Sequence, residues 1–277
     1  MTQAPDSLAA ARKDMNRSTR PLAIVTGAST GIGLELAKRC AVHGFDLLIV
    51  ADEPQIHQAK AMLEGYAGLV ESVVADLATP EGVDKLLECV RDRPVDALLA
   101  NAGRGLGHAF LDQDFEEVRR VIDTNITGTV YLIQKVGREM KARGRGRILI
   151  TGSIAGFMAG TYQAVYNGTK AFLDMFSYAI RAELEGSGVT VTCLMPGATE
   201  TEFFERADML DTKVGAEEKA DPADVAARGF KAMMDGEGGV IVGWQNKLQV
   251  AISRMAPPSF SAKIHERQAA PGTDKNA

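Results

Sequence analysis

The sequence predicts an α/β fold, a doubly wound parallel sheet of seven strands with helices on both faces. Three observations predict it. Short apolar runs alternate with helix-length patterns, a glycine-rich turn joins the first run to the first helix, and no linker, repeat or composition break interrupts the alternation from Leu22 to Gly243. Such alternation implies right-handed crossovers, which stack helices against both faces of a parallel sheet.

Taken in order, Leu22 to Val25 reads as the first strand and leads into a helix from Gly31 to His43. Leu47 to Val50 precedes a helix near Gln55 to Tyr66, and Leu69 to Ala75 precedes one near Glu81 to Arg91. Ala97 to Ala100 is followed by a long helix from Phe115 to Ala142, and Arg147 to Ile150 by one from Ala164 to Glu185. Val189 to Met195 and Val240 to Val242 complete the seven strands. Runs this short and continuously apolar suit strands buried on both faces.

A chain of 277 residues can hold one large α/β domain or two small ones, and the unbroken alternation favours a single domain over residues 21–244. Residues 1–20 read as a disordered tail and residues 245–277 as an extension, with mild helical character from Asn246 to Met255 before Pro257 and Pro258. That extension could cover a substrate pocket, meet a second subunit or lie on a membrane surface, and its amphipathic pattern is weak for the last of these. No apolar run approaches the roughly 18 residues of a membrane span. The polar first twenty residues have no apolar core of a secretory signal, and Cys40, Cys89 and Cys193 show no metal spacing, so reduced thiols in a cytoplasmic protein are expected. A formal charge of −5 argues against a nucleic-acid partner, and the basic stretch Lys141 to Arg147 reads as a solvated loop. The four histidines are scattered, so no metal site is expected.

Chemistry concentrates in a few places. Gly27, Gly31 and Gly33 open the first strand–helix turn, where glycine lets backbone approach a pyrophosphate lying on helix N-terminal amides. Asp52 ends the second strand, nineteen residues past Gly33, where a carboxylate accepts ribose hydroxyls and repels a 2′-phosphate; Glu53 adds to the repulsion. Tyr166 and Lys170 stand one helical turn apart, thirteen residues after Ser153 at the end of the fifth strand. A tyrosine with a free pKa of about 10 needs a nearby positive charge to act as a base, and Lys170 is placed to give one. Ser153 is placed to hydrogen-bond a substrate oxygen. Tyr131 and Lys135 repeat the spacing, but no strand end precedes them, so they read as a packed aromatic and a solvated lysine.

Together, Thr26 to Gly33, Asn125, Ser153 and the Tyr166–Lys170 pair resemble the short-chain dehydrogenase/reductase family, its compact single-domain type, from about Leu22 to Gly243. The resemblance implies a Rossmann-type sheet and hydride transfer between a nicotinamide cofactor and a hydroxyl/carbonyl substrate. It implies a tetrad of Asn125, Ser153, Tyr166 and Lys170, with Asn125 holding a relay water and Lys170 the nicotinamide ribose. Cofactor positions are implied at Gly27, Ser29, Thr30, Gly31, Ile32 and Gly33, at Asp52, Asp76 and Leu77, and at Asn101, Ala102 and Gly103. Pro196, Gly197, Thr199 and Thr201 are implied beside the nicotinamide. Relatives preferring NADP usually carry a basic residue where this chain has Asp52 or Thr30, so NAD is favoured and NADP is the second candidate. Apolar residues at Phe157, Met158, Phe203, Phe204, Met209 and Leu210 point to a hydrophobic secondary alcohol or ketone. The resemblance also implies a homodimer or homotetramer paired through the two long helices. The alternative is a catalytically silent, NAD(P)-binding regulatory protein on the same fold.

Overall fold

The computed structural model describes residues 18–66, 68–90, 93–216 and 219–273. Seven parallel strands form one sheet in the order β3-β2-β1-β4-β5-β6-β7. They are β1 (Leu22–Thr26), β2 (Asp46–Ala51), β3 (Val70–Val74), β4 (Ala97–Ala100), β5 (Gly146–Thr151), β6 (Val189–Met195) and β7 (Gly239–Ile241). The direction of progression reverses between β1 and β4, and the carboxyl ends of those two strands flank the crevice. Along β2 the side chains alternate in destination. Leu47 and Ile49 enter one core with Leu36 and Phe230, while Leu48 and Val50 enter the other with Leu86, Leu132 and Val136.

The helices are α1 (Gly31–Val42), α2 (Ile56–Leu63), α3 (Pro80–Glu88), α4 (Phe115–Ile122), α5 (Thr129–Arg143), α6 (Ala164–Glu183), α7 (Phe203–Arg206), α8 (Lys213–Ala216), α9 (Pro222–Asp235), α10 (Trp244–Met255) and α11 (Pro258–Ala269). Three differ from the sequence reading. The helix expected from Phe115 to Ala142 is divided by a π turn over Asp123–Gly128, a widened turn of the kind that recurs at functional sites. Gly128 lies there against the Leu77 carbonyl, so close that a β-carbon would overlap it. Helix α9 went unread, although Asp221 caps its N-terminus by accepting from Ala223 N and Pro222 fits its first turn. Its Val225, Ala226, Phe230 and Met233 are buried against α1 and the sheet. The extension past residue 244 forms two helices, of which α10 leans on the turn Ile154–Phe157 and α11 on α8. Of the tail expected to be disordered, residues 1–17 lie outside the described residues, while Arg20 Nε donates to the Gly44 carbonyl at 3.0 Å.

One buried ion pair fastens the amino end of the sheet. Asp46, which opens β2, is fully buried, and its Oδ2 lies 2.6 Å from Nη2 of Arg93, in the segment before β4. Its Oδ1 accepts from Leu69 N at 2.8 Å, which ties the entry of β3 to the same carboxylate. Burial alone would raise its pKa, but hydrogen bonds from Ser18, Leu69 and Arg93, with the Arg93 charge, hold it below the ordinary 3.8. A depressed carboxylate stabilises the fold above its unfolded pKa, and that stability disappears as pH falls through the lower folded value. Removing one partner of a buried pair leaves the other charge uncompensated. Asp46→Ala is expected to destabilise by about 3–5 kcal/mol in urea unfolding at pH 7, with the difference shrinking below pH 4 as wild type loses the anion that the variant lacks.

Candidate active site

The glycine turn after β1 lies at the crevice where the strand order reverses. Gly27 and Gly31 take φ of +62° and +56°, a left-handed conformation that favours glycine. Gly33 packs directly over the Gly27 carbonyl, with no room for a β-carbon. Thr30 caps α1 with backbone alone, so the first-turn amides remain available to an anion. Beside this turn, Asn101 at the end of β4 donates from Nδ2 to the Thr26 and Gly27 carbonyls at 3.1 and 3.3 Å. Thr26 Oγ1 accepts from the Asn101 and Ala102 amides, both at 2.9 Å. Thr201 sits against Gly31, which brings the segment after β6 onto the same turn.

Gly27, Thr30, Gly31, Gly33, Asn101, Ala102 and Thr201 line one cavity of about 940 Å³. Its wall also includes Ser29, Ile32, Asp52, Asp76, Leu77 and Gly103 from the first half of the chain, and Ser153, Tyr166, Lys170, Pro196, Gly197 and Thr199 from the second. A glycine turn over uncapped helix amides, carboxylates at the end of β2 and a phenol with an ammonium beyond suit an elongated dinucleotide. Asn125 is the one tetrad residue that does not line the cavity.

The acids at the β2 end are paired rather than free. Asp52 Oδ2 lies 3.4 Å from Arg104 Nη1 and 3.4 Å from Arg120 Nη2, and Arg120 also reaches Asp76 at 3.3 Å. Glu53 accepts from Ser29 Oγ at 2.7 Å and pairs with Arg206 at 2.9 Å. Burial pushes the Glu53 carboxyl up, but Ser29 and Arg206, with the charge of Arg104, bring it below its ordinary range. None of these arginines was anticipated from the sequence, because Arg104 and Arg120 lie 52 and 68 positions from Asp52, and Arg206 lies 153 from Glu53.

At the other end, Lys170 is buried and its Nζ donates to the Thr151 carbonyl at 2.7 Å. The same Nζ stands 5.8 Å from the centre of the Tyr166 ring. Burial pushes the Tyr166 phenol up to about 12 against a hydrogen bond with Ser153, and the Asp174 charge raises it further. Burial brings Lys170 down to about 8, opposed by the charges of Asp174 and Cys193. In the cofactor-free protein, therefore, the phenol is protonated at neutral pH. Ser153 Oγ accepts from Ala155 N at 3.1 Å, closing the tight turn that follows β5. Phe203 packs on the Tyr166 ring with centroids 5.0 Å apart.

Asn125 holds scaffold. Its Oδ1 accepts from Arg104 N at 2.7 Å, and its Nδ2 donates to the Arg104 carbonyl and Thr169 Oγ1, both at 2.9 Å. Gly103 passes between it and the lysine: a β-carbon there would lie 3.3 Å from Asn125 Oδ1 and 3.5 Å from Lys170 Nζ. Tyr131 stands apart, donating to Asp84 at 3.0 Å with Lys135 over its ring, and does not line the cavity.

Two contributions escaped the sequence reading. Asp174 lies one turn beyond Lys170, buried, with Oδ1 accepting from Ser153 N at 3.3 Å and Oδ2 unpartnered among the described residues. Burial raises its pKa to about 6, against the Ser153 amide, Cys193 and Lys170. The visible signal was an acid at the same helical spacing as Tyr166 and Lys170. The extension also lines the cavity, through Gln245, Asn246 and Gln249 on α10 and His265 and Gln268 on α11. Of the apolar residues expected in the substrate pocket, Met158, Phe203 and Phe204 line it; Phe157 lies under Arg254, Met209 is buried in a neighbouring cluster and Leu210 is exposed.

Comparison with known proteins agrees with this geometry. The family model for short chain dehydrogenases matches residues 21–210. An uncharacterized oxidoreductase of Staphylococcus saprophyticus is 32% identical over 216 residues, covering 76% of this chain and 90% of that protein. A short-chain dehydrogenase from Sphingobium yanoikuyae, solved in complex with NADPH, superposes with a TM-score of 0.77 at 29% identity, covering 90% of this chain and 98% of that one. The bulky-bulky ketone specific alcohol dehydrogenase from Comamonas testosteroni gives a TM-score of 0.72 at 25% identity, covering 86% and 93%. With its parallel sheet, its glycine turn at the switch point and these relatives, the chain belongs to the short-chain dehydrogenase/reductase family and is an NAD(P)-dependent oxidoreductase.

Proposed function

We propose that the protein interconverts a hydrophobic secondary alcohol and its ketone, with Tyr166 as proton donor and acceptor. The observation that carries this reading is the placement of Tyr166, Ser153 and Lys170 at one end of the cavity whose other end is the glycine turn. A bound nicotinamide cofactor supplies or accepts the hydride. Ser153 hydrogen-bonds the substrate oxygen, and Tyr166 gives its phenolic proton to that oxygen during reduction and takes it back during oxidation. Lys170, fixed by the Thr151 carbonyl, holds positive charge beside the phenol and would hold the nicotinamide ribose of a bound cofactor. Asn125 positions Lys170 indirectly, by locking the Arg104 backbone to α6 through Thr169. Phe203, Phe204, Met158 and Ile154 supply an apolar wall, in keeping with the ketone named for the Comamonas relative.

Among cofactors, the reading favours NAD(H), because Asp52 offers a carboxylate where a 2′-phosphate would lie. Arg104 and Arg120 already satisfy that carboxylate, so they become phosphate ligands once its charge is removed. Asp52→Asn is therefore expected to move the NADP(H) to NAD(H) affinity ratio toward NADP(H) by about tenfold, equivalent to 1.4 kcal/mol, in fluorescence titrations. An unchanged ratio would place the 2′-position elsewhere.

Tyr166→Phe removes only the transferable proton. It is expected to lower kcat by about 10²–10⁴ while cofactor affinity stays close to wild type, and Tyr131→Phe is expected to leave kcat unaltered. Because burial keeps the phenol protonated, ketone reduction should hold its rate through neutral pH and decline only in the alkaline range. Alcohol oxidation, which needs phenolate, should climb with pH over the same interval. Initial rates with both substrates between pH 6 and pH 10 read this directly.

The assembly follows from what the monomer leaves uncovered. On α4 and α5, Val118, Ile133 and Val136 are buried in the monomer core. Phe115, Ile122, Phe172, Met175 and Tyr178 on α4 and α6 are exposed instead, with Phe172 and Phe176 stacked at 5.6 Å. We assign this face to a two-fold pairing of α4 and α6. Light scattering at micromolar concentration should give a dimer or tetramer, and a mass of 29.6 kDa would exclude the pairing.

A further inference from the structure

The cavity wall contributed by α10 and α11 carries no charge. Its lining side chains are the amides Gln245, Asn246, Gln249 and Gln268 and the imidazole of His265, while the charged residues of these helices do not line it. His265 is buried, with 6% of its surface exposed. Its Nδ1 lies 2.9 Å from the Thr161 carbonyl. A carbonyl can only accept, so Nδ1 carries the proton, and in the neutral ring Nε2 is left as a bare acceptor. Burial lowers the imidazole below its ordinary 6.5 despite the bond to Thr161, so the ring is neutral at neutral pH. Nε2 makes no hydrogen bond among the described residues. An acceptor on a buried ring that lines the cavity, with no partner among the described residues, is poised for one from outside.

The position of this acceptor is fixed by the fold. Thr161 Oγ1 donates to the Ala262 carbonyl at 2.9 Å, and Ala159 N donates to Ser261 Oγ at 3.3 Å. With the His265 bond, three hydrogen bonds thus fasten α11 to the segment that leads into α6. Tyr162 follows at φ +64°, and α6 carries Tyr166 on its first turn. The distance between the phenol and the imidazole is therefore held by the same short segment.

We propose that His265 Nε2 forms a substrate subsite that accepts a hydrogen bond from an uncharged donor, a hydroxyl or amide N–H, lying away from the carbon that exchanges hydride. The inference rests on the alcohol–ketone reading above and narrows its substrate class from apolar ketones to ketones with a second, hydrogen-bonding end. A carboxylate or phosphate would meet the lone pair of Nε2 with like polarity. A buried ammonium would find no carboxylate on this wall to compensate it. A neutral donor completes the site, and a bound analogue lacking that donor covers Nε2 without pairing it, which is why sites of this kind discriminate strongly.

The test pairs 4-(4-hydroxyphenyl)cyclohexanone and 4-hydroxycyclohexanone with 4-phenylcyclohexanone and cyclohexanone, and adds protein labelled with ¹⁵N at its four histidines. Wild type should prefer a hydroxylated ketone over its parent by about tenfold or more in kcat/KM. His265→Phe should abolish that preference. His265→Asn keeps a donor for the Thr161 carbonyl but has no group at the Nε2 position, so it should lose the preference while retaining the wild-type thermal midpoint. The Nε2 resonance of His265 should shift when the hydroxylated ketone is added in the presence of NAD⁺ and stay in place with the parent. Where the ketones turn over, a preference that is absent from wild type or survives in His265→Asn overturns the subsite, and so does an Nε2 resonance unmoved by every hydroxylated compound. A shift of Nε2 with no turnover of any ketone would instead retain the subsite and overturn the alcohol–ketone reading.

Discussion

The candidate site depends on a chain of hydrogen bonds crossing the sheet where its strand order reverses. Thr26 at the end of β1 receives the Asn101 and Ala102 amides, and Asn101 Nδ2 returns to the Thr26 carbonyl. Thr151 at the end of β5 donates to Asn101 Oδ1 at 3.1 Å, and the Thr151 carbonyl receives Lys170 Nζ. These bonds fix the carboxyl ends of three strands relative to one another and fasten α6 to them. The glycine turn and the phenol are separated by 139 positions in the chain but belong to one rigid frame. Parallel sheets create such places because strands that diverge in opposite directions leave backbone groups unsatisfied between them.

Around this frame, charge is handled differently at the two ends of the cavity. At the phenol end a buried ammonium and a buried carboxylate share one helix, Lys170 and Asp174, and each opposes the shift that burial gives the other. Asp174 also receives the Ser153 amide, and Gly152 and Gly156 leave the space its carboxylate occupies. At the β2 end the acids Asp52, Asp76 and Glu53 alternate with Arg104, Arg120 and Arg206 in half-exposed pairs. Solvent screens such pairs, so their contribution is to position groups along the cavity more than to stabilise the fold.

The helices after β7 complete the cavity rather than hang from it. Asn246 packs against Gly197, Gln249 and His265 reach the lining, and α11 is fastened to the segment that starts α6. Residues far past the sheet thus meet groups that the Rossmann-type core alone would leave facing solvent. The uncharged character of this wall separates it from the cofactor end, where every exposed acid has an arginine within reach.

The fold and the gathering of Ser153, Tyr166 and Lys170 at one cavity were legible in the sequence because they rest on local signals. Strand–helix alternation, glycine spacing and the one-turn interval from Tyr166 to Lys170 are each set within a few residues. Tyr131 and Lys135 were separable from that pair because only Tyr166 follows a strand end. What the sequence could not supply depends on partners distant along the chain. The arginines against Asp52 and Glu53, the engagement of both polar ends of the Asn125 amide, and the burial of Asp174 all arise where separate elements meet. Helix α9 was readable from Asp221 and Pro222 and was overlooked, whereas the π turn at Asn125 follows from the tight passage of Gly128 over Leu77 and has no local signature. Local sequence determined which residues could do chemistry, and tertiary packing decided their protonation, their partners and the wall they face, because burial and through-space charge are properties of the folded chain.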